Sequence, residues 1–465
     1  MSQTPPIPSD ARRVILFYPP SSEFFLVSTP EGFSFPEVPV PGRQRVSGNL
    51  NAAIKRLWNA DVVSMGEVAP VRIDDPAPSR RYEIVEILEA NGLPLPGLQA
   101  KHTSELARTF FLELEDLSVL ERIKANDGSL PLCDKEGPFS RFGWFTELKN
   151  WVNQELQYFG LHLSGPFTQL NAGASFSLLR FETNRGAVWF KAVGEPNVRE
   201  CAITLELAAT LPRYLPTILA SRPEWHAWLS LEAEGEALSE SADVTKWQRA
   251  AASLAELQIS SIPHVSRILA AGARDTRIPT LCAQSDGLFE ILDHLMRKQS
   301  KNPPAPLTPD ELRSLRKSVR EMLVRLEDVD LPDALGHLDL NPGNVVVSLA
   351  TCTFLDWAEA AVGPPFFTLQ YLVEHFRLSQ PKQSHAETEF VTAYMQPWES
   401  IAGKTKVHKV MRFLPAATVF AYTALVVAGR NMDFIEQSRT AACLRSLARR
   451  LQSEIVRLHK TTAAP

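Results

Sequence analysis

The segment with the most chemical potential is GHLDLNPGNVVVSLATCTFLDWAEA, residues 336–360. His337, Asp339 and Asn344 lie on a loop broken by a Pro-Gly pair, and two short apolar runs follow, the second ending at Asp356. A hairpin of these lengths would bring Asn344 and Asp356 side by side, next to the third polar oxygen group, Asp339. Mg²⁺ takes few protein oxygens and completes its shell with phosphates and water. The spacing therefore predicts a magnesium site that leaves Asp339 to meet a substrate hydroxyl.

The pattern His-x-Asp-x-x-x-x-Asn is that of a kinase catalytic loop. HLDLNPGN followed by FLDW resembles the aminoglycoside phosphotransferase and choline kinase-like family, a branch of the protein-kinase-like fold, over roughly residues 160 to 430. The resemblance implies Mg²⁺-dependent transfer of the γ-phosphoryl group of ATP, with GTP possible, to a hydroxyl of a small molecule. Asp339 would take the hydroxyl proton, Asn344 and Asp356 would hold Mg²⁺, and His337 would orient the loop.

The same resemblance assigns a nucleotide site upstream. The turn containing Gly173, Ala174 and Ser175 lies between strand signals, where backbone N–H groups could meet phosphate oxygens. Lys191, in the apolar run VWFKAV, resembles the ATP lysine of the family. Its expected partner is a glutamate on the next helix.

Two glutamates on that helix qualify as this partner, Glu200 and Glu206, and the VRE context favours Glu200. WLSLEA, residues 228–233, resembles the connector between lobes, where the backbone near Glu232 would meet the adenine.

Two positions depart from the family pattern. Leu338 stands where glycine is frequent, and Thr368 stands where an aspartate often braces the catalytic loop. The alternative hypothesis is therefore a non-catalytic nucleotide-binding or regulatory scaffold of the pseudokinase type. The acceptor pocket is expected to draw on Trp357, Glu359 and residues 371–376.

The elements that must position these residues form an α+β chain. The expected fold class is a two-lobed protein-kinase-like fold, with a β-rich small lobe and a helical large lobe, preceded by a separate α+β domain. The predicted segments are 1–135 for the accessory domain, 136–159 for a linker helix, 160–235 for the small lobe and 236–465 for the large lobe.

Periodicity and turn residues predict individual elements. Thr308, Pro309 and Glu311 predict a capped helix start. The predicted strands are two within 12–28, then 62–73, 82–88, 109–114, 176–182, 187–193, 228–231, 344–347 and 353–355. The predicted helices are 49–59, 144–158, 198–211, most of the chain after 244, and most of 367–459. Loops are expected at 36–41 and 115–140, the second as a linker.

The first domain has a weak resemblance to a Nudix domain. If Gly42 is the first glycine of that motif, Arg56 falls on its arginine and Asp61 on one of its acids. The other acids are replaced, so a Nudix-type metal site is not expected there. The replacing residues are Gly48, Leu57 and Ala60. An unrelated accessory domain for substrate or partner binding is the alternative.

Composition and charge exclude several classes of protein. Of 465 residues, 45% are hydrophobic and 22% charged, so the chain is globular. A net charge of −5 gives no footprint of a nucleic-acid binder. The first residues lack an apolar signal core, and five cysteines include no close pair, so we expect a cytoplasmic protein with free thiols. The uncharged run 413–429 is expected to be a buried helix, so no membrane partner is expected, and the oligomeric state stays open.

Overall fold

The computed structural model describes residues 9–41, 46–68, 81–90, 95–124, 137–380 and 384–463. The chain divides into two compact units. The first contains residues 1–201 and 217–232, and the second contains residues 202–216 and 233–465. Gly42, the first glycine of the Nudix-like motif, lies outside the described residues. So do Cys133, one of the five cysteines, and the second half of the predicted strand 62–73.

The first unit contains a seven-stranded and a five-stranded sheet. The seven-stranded sheet has the order β3-β2-β1-β6-β5, with β4 beside β1 and β7 beside β2, and β1 and β6 are parallel. Its strands are β1 (Ser9–Tyr18), β2 (Glu23–Thr29), β3 (Gly32–Ser34), β4 (Glu37–Pro41), β5 (Ala60–Val68), β6 (Tyr82–Ala90) and β7 (Gln99–His102). The helices that accompany it are α1 (Val46–Trp58), α2 (Leu114–Lys124) and α3 (Trp144–Gln157).

The five-stranded sheet has the order β11-β12-β10-β9-β8 and carries the predicted nucleotide residues. Its strands are β8 (Leu163–Ala172), β9 (Ser177–Thr183), β10 (Gly186–Ala192), β11 (Ile218–Arg222) and β12 (Ala227–Leu231), and α4 (Arg199–Thr210) follows β10. One hydrophobic core contains residues of both sheets and of α3, among them Ile15, Ile84, Leu148, Leu179 and Phe190. The two sheets of this unit are therefore packed through α3 into one body.

The second unit is mainly helical, around a single large core. Its helices are α5 (Val244–Ser261), α6 (Val265–Ala270), α7 (Ile278–Arg297), α8 (Pro309–Glu327), α9 (Phe366–Ser379), α10 (Ser384–Ala402), α11 (Lys404–Val427), α12 (Met432–Glu436) and α13 (Ser438–Ala463). Two three-stranded sheets interrupt them, with orders β13-β16-β17 and β14-β18-β15. Their strands are β13 (Glu236–Ala237), β14 (Arg274–Asp275), β15 (Ala334–His337), β16 (Val345–Val347), β17 (Cys352–Phe354) and β18 (Ala360–Gly363).

The predicted fold class is confirmed, since a β-rich lobe and a helical lobe follow a further α+β sheet. The capping box at Thr308 is present, with both reciprocal bonds to Glu311 and with Pro309 in the first turn. α11 is long and apolar enough to span a membrane, but 61% of its most apolar stretch is buried inside the protein. Such burial is typical of a core helix, as the sequence predicts.

Three element predictions are wrong. The proline-rich stretch at 36–41 is the strand β4, which tolerates proline because, among the described strands, it pairs with β1 alone and so forms an edge. The predicted strand 109–114 supplies only one bridge, between Phe111 and Phe33. The predicted linker begins instead with α2, whose buried Asp116 accepts hydrogen bonds from Arg13 at 2.5 Å and from the Tyr82 hydroxyl at 2.6 Å.

Candidate active site

The catalytic-loop segment leaves β15 at His337 and closes on itself before β16. The Asn341 N–H donates to the Asp339 carbonyl at 2.9 Å, and the Asn344 N–H donates to the Asn341 carbonyl at 3.0 Å. The Asn341 side chain accepts from the Gly343 N–H at 2.9 Å, which closes the short turn that Pro342 begins. These local bonds hold the backbone from 339 to 344 in one compact loop.

The β16–β17 hairpin brings together the three residues that the spacing selects. Val345 pairs with Phe354, and the Leu355 N–H donates to the Asn344 carbonyl at 2.9 Å, so Asn344 lies beside the residue that precedes Asp356. The Asn344 amide nitrogen donates to the Asp339 carbonyl at 3.3 Å. Asp356 follows in a left-handed conformation, with φ 64°, at the point where β17 ends. Asp339 and Asp356 are both exposed to solvent.

His337 connects the loop to this hairpin. Its ring is buried, with Nε2 3.0 Å from the Leu355 carbonyl and Nδ1 3.3 Å from the Asp339 N–H. With Nδ1 as the acceptor, Nε2 carries the proton and donates to Leu355. The ring also packs against Trp357, at 4.9 Å between centroids. This placement is that of a residue that orients the loop.

The two residues that depart from the family pattern are both buried. Thr368 lies at the start of α9, and its hydroxyl accepts from the His337 N–H at 2.9 Å. Leu338 is 1% exposed within the core, and its N–H donates to the Glu359 carbonyl at 3.0 Å. The loop is therefore supported by a hydroxyl and by apolar packing.

The electrostatic field at Asp339 is negative. Partial burial first, and then the charges of Asp356 and Glu359, raise the pKa of the Asp339 carboxyl, although the residue keeps access to solvent. Tyr371 and Tyr422 meet edge to face at 5.8 Å, and burial raises the pKa of both phenols, with Asp339 adding to the effect. The predicted acceptor residues on α9 thus lie within electrostatic reach of Asp339.

The predicted acceptor residues have different surroundings. The prediction that Trp357 lines the acceptor pocket is wrong, because its side chain is 2% exposed and its indole N–H donates to the Phe354 carbonyl at 3.2 Å. Glu359 pairs with Arg274 at 2.9 Å, and Glu374 pairs with Arg450. Arg274 was not singled out from the sequence, because it lies 85 residues from its partner and no spacing signal connects them.

The donor set fits Mg²⁺ in its chemistry. The amide nitrogen of Asn344 is used within the loop, so its amide oxygen is the atom left to a cation, and Asp356 adds an exposed carboxylate. These are hard oxygen donors in the small number that Mg²⁺ accepts when phosphates and water complete its shell. Within the described ranges, no group of three His, Cys, Asp or Glu side chains forms a metal site.

In the first unit, the structure pairs Lys191 with Glu200. The ammonium nitrogen lies 2.5 Å from a carboxylate oxygen of Glu200, which is 2% exposed, and 5.7 Å from the centroid of the Trp228 ring. Glu206, the other candidate, pairs with Arg267 at 2.9 Å. Both placements follow from α4, where Glu200 lies in the first turn and Glu206 lies nearly two turns further on.

The predicted adenine connector begins where β12 ends. The Glu232 N–H donates to the Ala187 carbonyl at 3.0 Å. Its carboxylate accepts from Arg180 at 2.6 Å and from the Trp189 indole at 3.1 Å, and these bonds lower the Glu232 pKa. The side chain is thus engaged within its own sheet, consistent with a role for the backbone alone.

Comparisons with known proteins show the family of the chain. The model of the phosphotransferase enzyme family matches residues 168–403, half of the chain. A search of curated protein sequences finds no match.

Solved structures with a similar fold include kinases from three organisms. An ethanolamine kinase from Plasmodium vivax has 15% identity and a TM-score of 0.45, covering 74% of this chain and 99% of its own. A macrolide 2′-phosphotransferase from Brachybacterium faecium has 16% identity and a TM-score of 0.40, covering 64% and 97%. A choline kinase from Streptococcus pneumoniae has 16% identity and a TM-score of 0.41, covering 66% and 99%.

The family match shows an enzyme of the kinase class, which transfers a phosphoryl group to an alcohol. The chain belongs to the phosphotransferase enzyme family, and it is an ATP-dependent small-molecule phosphotransferase.

Proposed function

We propose that the protein transfers the γ-phosphoryl group of ATP to a hydroxyl of a small molecule, with Mg²⁺ held by Asn344 and Asp356 and with Asp339 as the base. The observation that carries this proposal is the hairpin, which places Asn344 against both Asp339 and the residue before Asp356. Three residues spread over 18 positions of sequence thereby form one group of oxygen donors.

The reaction follows from these roles. The oxygen of the acceptor hydroxyl forms a bond to the γ-phosphorus while the bond from that phosphorus to the β,γ-bridging oxygen breaks, and ADP leaves. The Asp339 carboxylate orients the hydroxyl and takes its proton. Lys191, steadied by Glu200, neutralises phosphate charge. When bound, Mg²⁺ supplies further neutralisation of the phosphate oxygens.

His337, Leu338 and Thr368 support the loop without contacting the reacting atoms. The Thr368 hydroxyl accepts from the loop backbone, which is the kind of bond that a bracing aspartate would accept. This bond favours an active enzyme over the scaffold hypothesis that the two departures from the pattern motivate.

The Arg274 partner of Glu359 offsets part of the negative charge near Asp339, so the charge of the acceptor is decided by the turnover panel below. The two acids that could attract a cation, Glu359 and Glu374, already have arginine partners.

The nucleotide site is tested first by thermal shift with Mg-ATP and with Mg-GTP. We expect ATP to raise the melting temperature of the wild type, and to raise it less in Lys191→Ala and in Asp356→Ala. No shift in the wild type, or the same shift in both variants, contradicts a nucleotide site at these residues.

Turnover then separates the enzyme from the scaffold. ADP release is followed with a panel of hydroxyl compounds in matched cationic, neutral and anionic sets. We expect turnover with at least one compound of the panel, and a loss of about 10²–10⁴-fold in kcat in Asp339→Asn while Mg-ATP binding persists. Activity retained in Asp339→Asn removes this residue from the role of base, and no turnover with any compound while Mg-ATP binds favours the scaffold.

A further inference from the structure

The turn between β8 and β9, residues 173–176, is held by the accessory domain. Loops that cover phosphates are usually rich in glycine, but this turn has only Gly173, which Ala174 and Ser175 follow. We propose that the N-terminal domain positions this turn, with Gln169 as the central positioning residue, so that affinity for nucleotide phosphates depends on contacts made outside the lobe. This inference rests on the proposed nucleotide site.

Gln169 joins the two sheets of the first unit. It lies on β8 and is 2% exposed, a rare environment for a primary amide. Its amide oxygen accepts from the Ser64 N–H at 2.8 Å, and its amide nitrogen donates to the Ser64 carbonyl at 2.9 Å. The Asn51 amide adds a third bond to the same oxygen, at 3.0 Å.

The backbone of both strands is shaped for this contact. The pairing of β5 with β6 shifts register between Ser64 and Gly66, and the pairing of β8 with β9 shifts between Gln169 and Asn171. A bulge of this kind releases backbone groups from the ladder and re-aims a side chain. Here the released groups of Ser64 meet the re-aimed amide of Gln169, four residues before the turn begins.

The turn itself is touched from two directions by segments that precede the small lobe. Gly66 has φ +113°, and a Cβ there would lie 3.0 Å from the Cα of Gly173. A Cβ on Gly137 would lie 2.2 Å from the Ala174 carbonyl oxygen, and the Phe139 N–H donates to that oxygen at 3.0 Å. Glycine at positions 66 and 137 is thus what allows this close approach.

The position of Phe139 is itself fixed by aromatic packing. Its ring is 1% exposed and meets Trp144 at 5.0 Å and Trp225 at 5.4 Å, both edge to face. The Ala174 carbonyl is therefore bonded to a backbone group that cannot move without disturbing an aromatic core. A turn held in this way keeps its N–H groups aimed before the phosphates arrive, which lowers the ordering cost of binding.

The test compares ligands with and without phosphates. Binding of Mg-ATP, Mg-ADP and adenosine to the full chain is measured by calorimetry in the wild type and in Gln169→Leu, which keeps the side-chain bulk and removes its bonds. We expect the affinity for ATP and ADP to fall by about tenfold, while adenosine affinity is unchanged. Asn51→Ala, which removes one bond to Gln169, should move the ratio of ATP to adenosine affinity in the same direction by about two- to threefold.

Tyr82→Phe is the matched control. It removes a buried bond to Asp116 in the same domain without touching the turn, so it should lower stability and leave the affinity ratio unchanged. A ratio that is unchanged in folded Gln169→Leu overturns the inference, and Asn51→Ala decides in the same way if Gln169→Leu does not fold. A wild type that binds no Mg-ATP overturns the proposed nucleotide site instead.

Discussion

The hydroxyl of Thr368 lies 2.9 Å from the backbone nitrogen of His337 and accepts its hydrogen bond. Thr368 has no exposed surface, and His337 is 1% exposed, so water cannot replace either partner. Gly336 makes room for this contact, since a Cβ there would lie 3.3 Å from the Thr368 hydroxyl. A single buried hydroxyl thus fixes the strand end from which the catalytic loop departs.

Thr368→Val keeps the shape of the side chain and removes this acceptor. The buried His337 N–H would lose this acceptor, which costs about 1–3 kcal/mol of unfolding free energy. We expect that loss in urea unfolding, together with a lower kcat at an unchanged KM for ATP. Thr368→Ser retains the hydroxyl and should recover most of the kcat, and an inactive serine variant would argue against the hydrogen bond as the cause.

The ion pair of Lys191 with Glu200 gives a second prediction with a natural control on the same helix. Glu200→Gln keeps the size of a 2% exposed side chain and removes the charge that steadies the ammonium. We expect kcat/KM for ATP to fall by about 10²-fold, the usual scale for one misplaced electrostatic group. Glu206→Gln disturbs only the pair with Arg267, so equal losses in both variants would refute the assignment of Glu200.

The predicted metal residues can be tested by Mg²⁺ titration at saturating ATP. Asn344→Ala and Asp356→Ala each remove one oxygen donor, and we expect the Mg²⁺ concentration for half-maximal activity to rise by at least roughly tenfold. The Mg²⁺-dependent part of the ATP thermal shift should weaken in parallel. Asp328→Asn, at the exposed end of α8, should behave as the wild type, and an unshifted titration in both alanine variants would exclude these ligands.

Glu86 gives a prediction about stability and pH. Burial raises the pKa of its carboxyl to about 7, against the lowering effect of a 2.7 Å bond from the Gly143 N–H. The folded state therefore holds the Glu86 proton more tightly than the unfolded chain does, so this stabilisation is complete below about pH 4.5 and is lost as the pH rises through 7.

The measurement is urea unfolding of the wild type and of Glu86→Gln between pH 4.5 and pH 8. The glutamine of the variant cannot titrate, so only the wild type should lose this stabilisation as the pH rises. Relative to the wild type, the unfolding free energy of the variant should therefore increase by about 2–3 kcal/mol from pH 4.5 to pH 8, at 1.36 kcal/mol per pKa unit. Glu89→Gln, an exposed position on the same strand, serves as the control and should show no such change. A difference that does not change with pH would show that Glu86 keeps an ordinary pKa.

The sequence predicted those helices and strands whose formation depends on residues close to one another in the chain. The capped start at Thr308, the amphipathic α3 and the β16–β17 hairpin depend on residues within a few positions of one another. The pattern of β4 misled because its prolines suggest a loop. Only the pairing of β4 with β1 shows that those prolines belong to an edge strand, where the ladder tolerates a residue without an N–H.

By itself, the sequence determined the class of chemistry, because Asp339, Asn344 and Asp356 are brought together by short-range turn and strand geometry. The tertiary structure decided which glutamate meets Lys191, that Thr368 bonds to His337, and that Gln169 bonds to Ser64 across 105 residues. The last two contacts join residues 31 and 105 positions apart, and such separations carry no spacing signal. These contacts arise only when the packing of helices and sheets buries both partners and obliges each buried polar group to find the other.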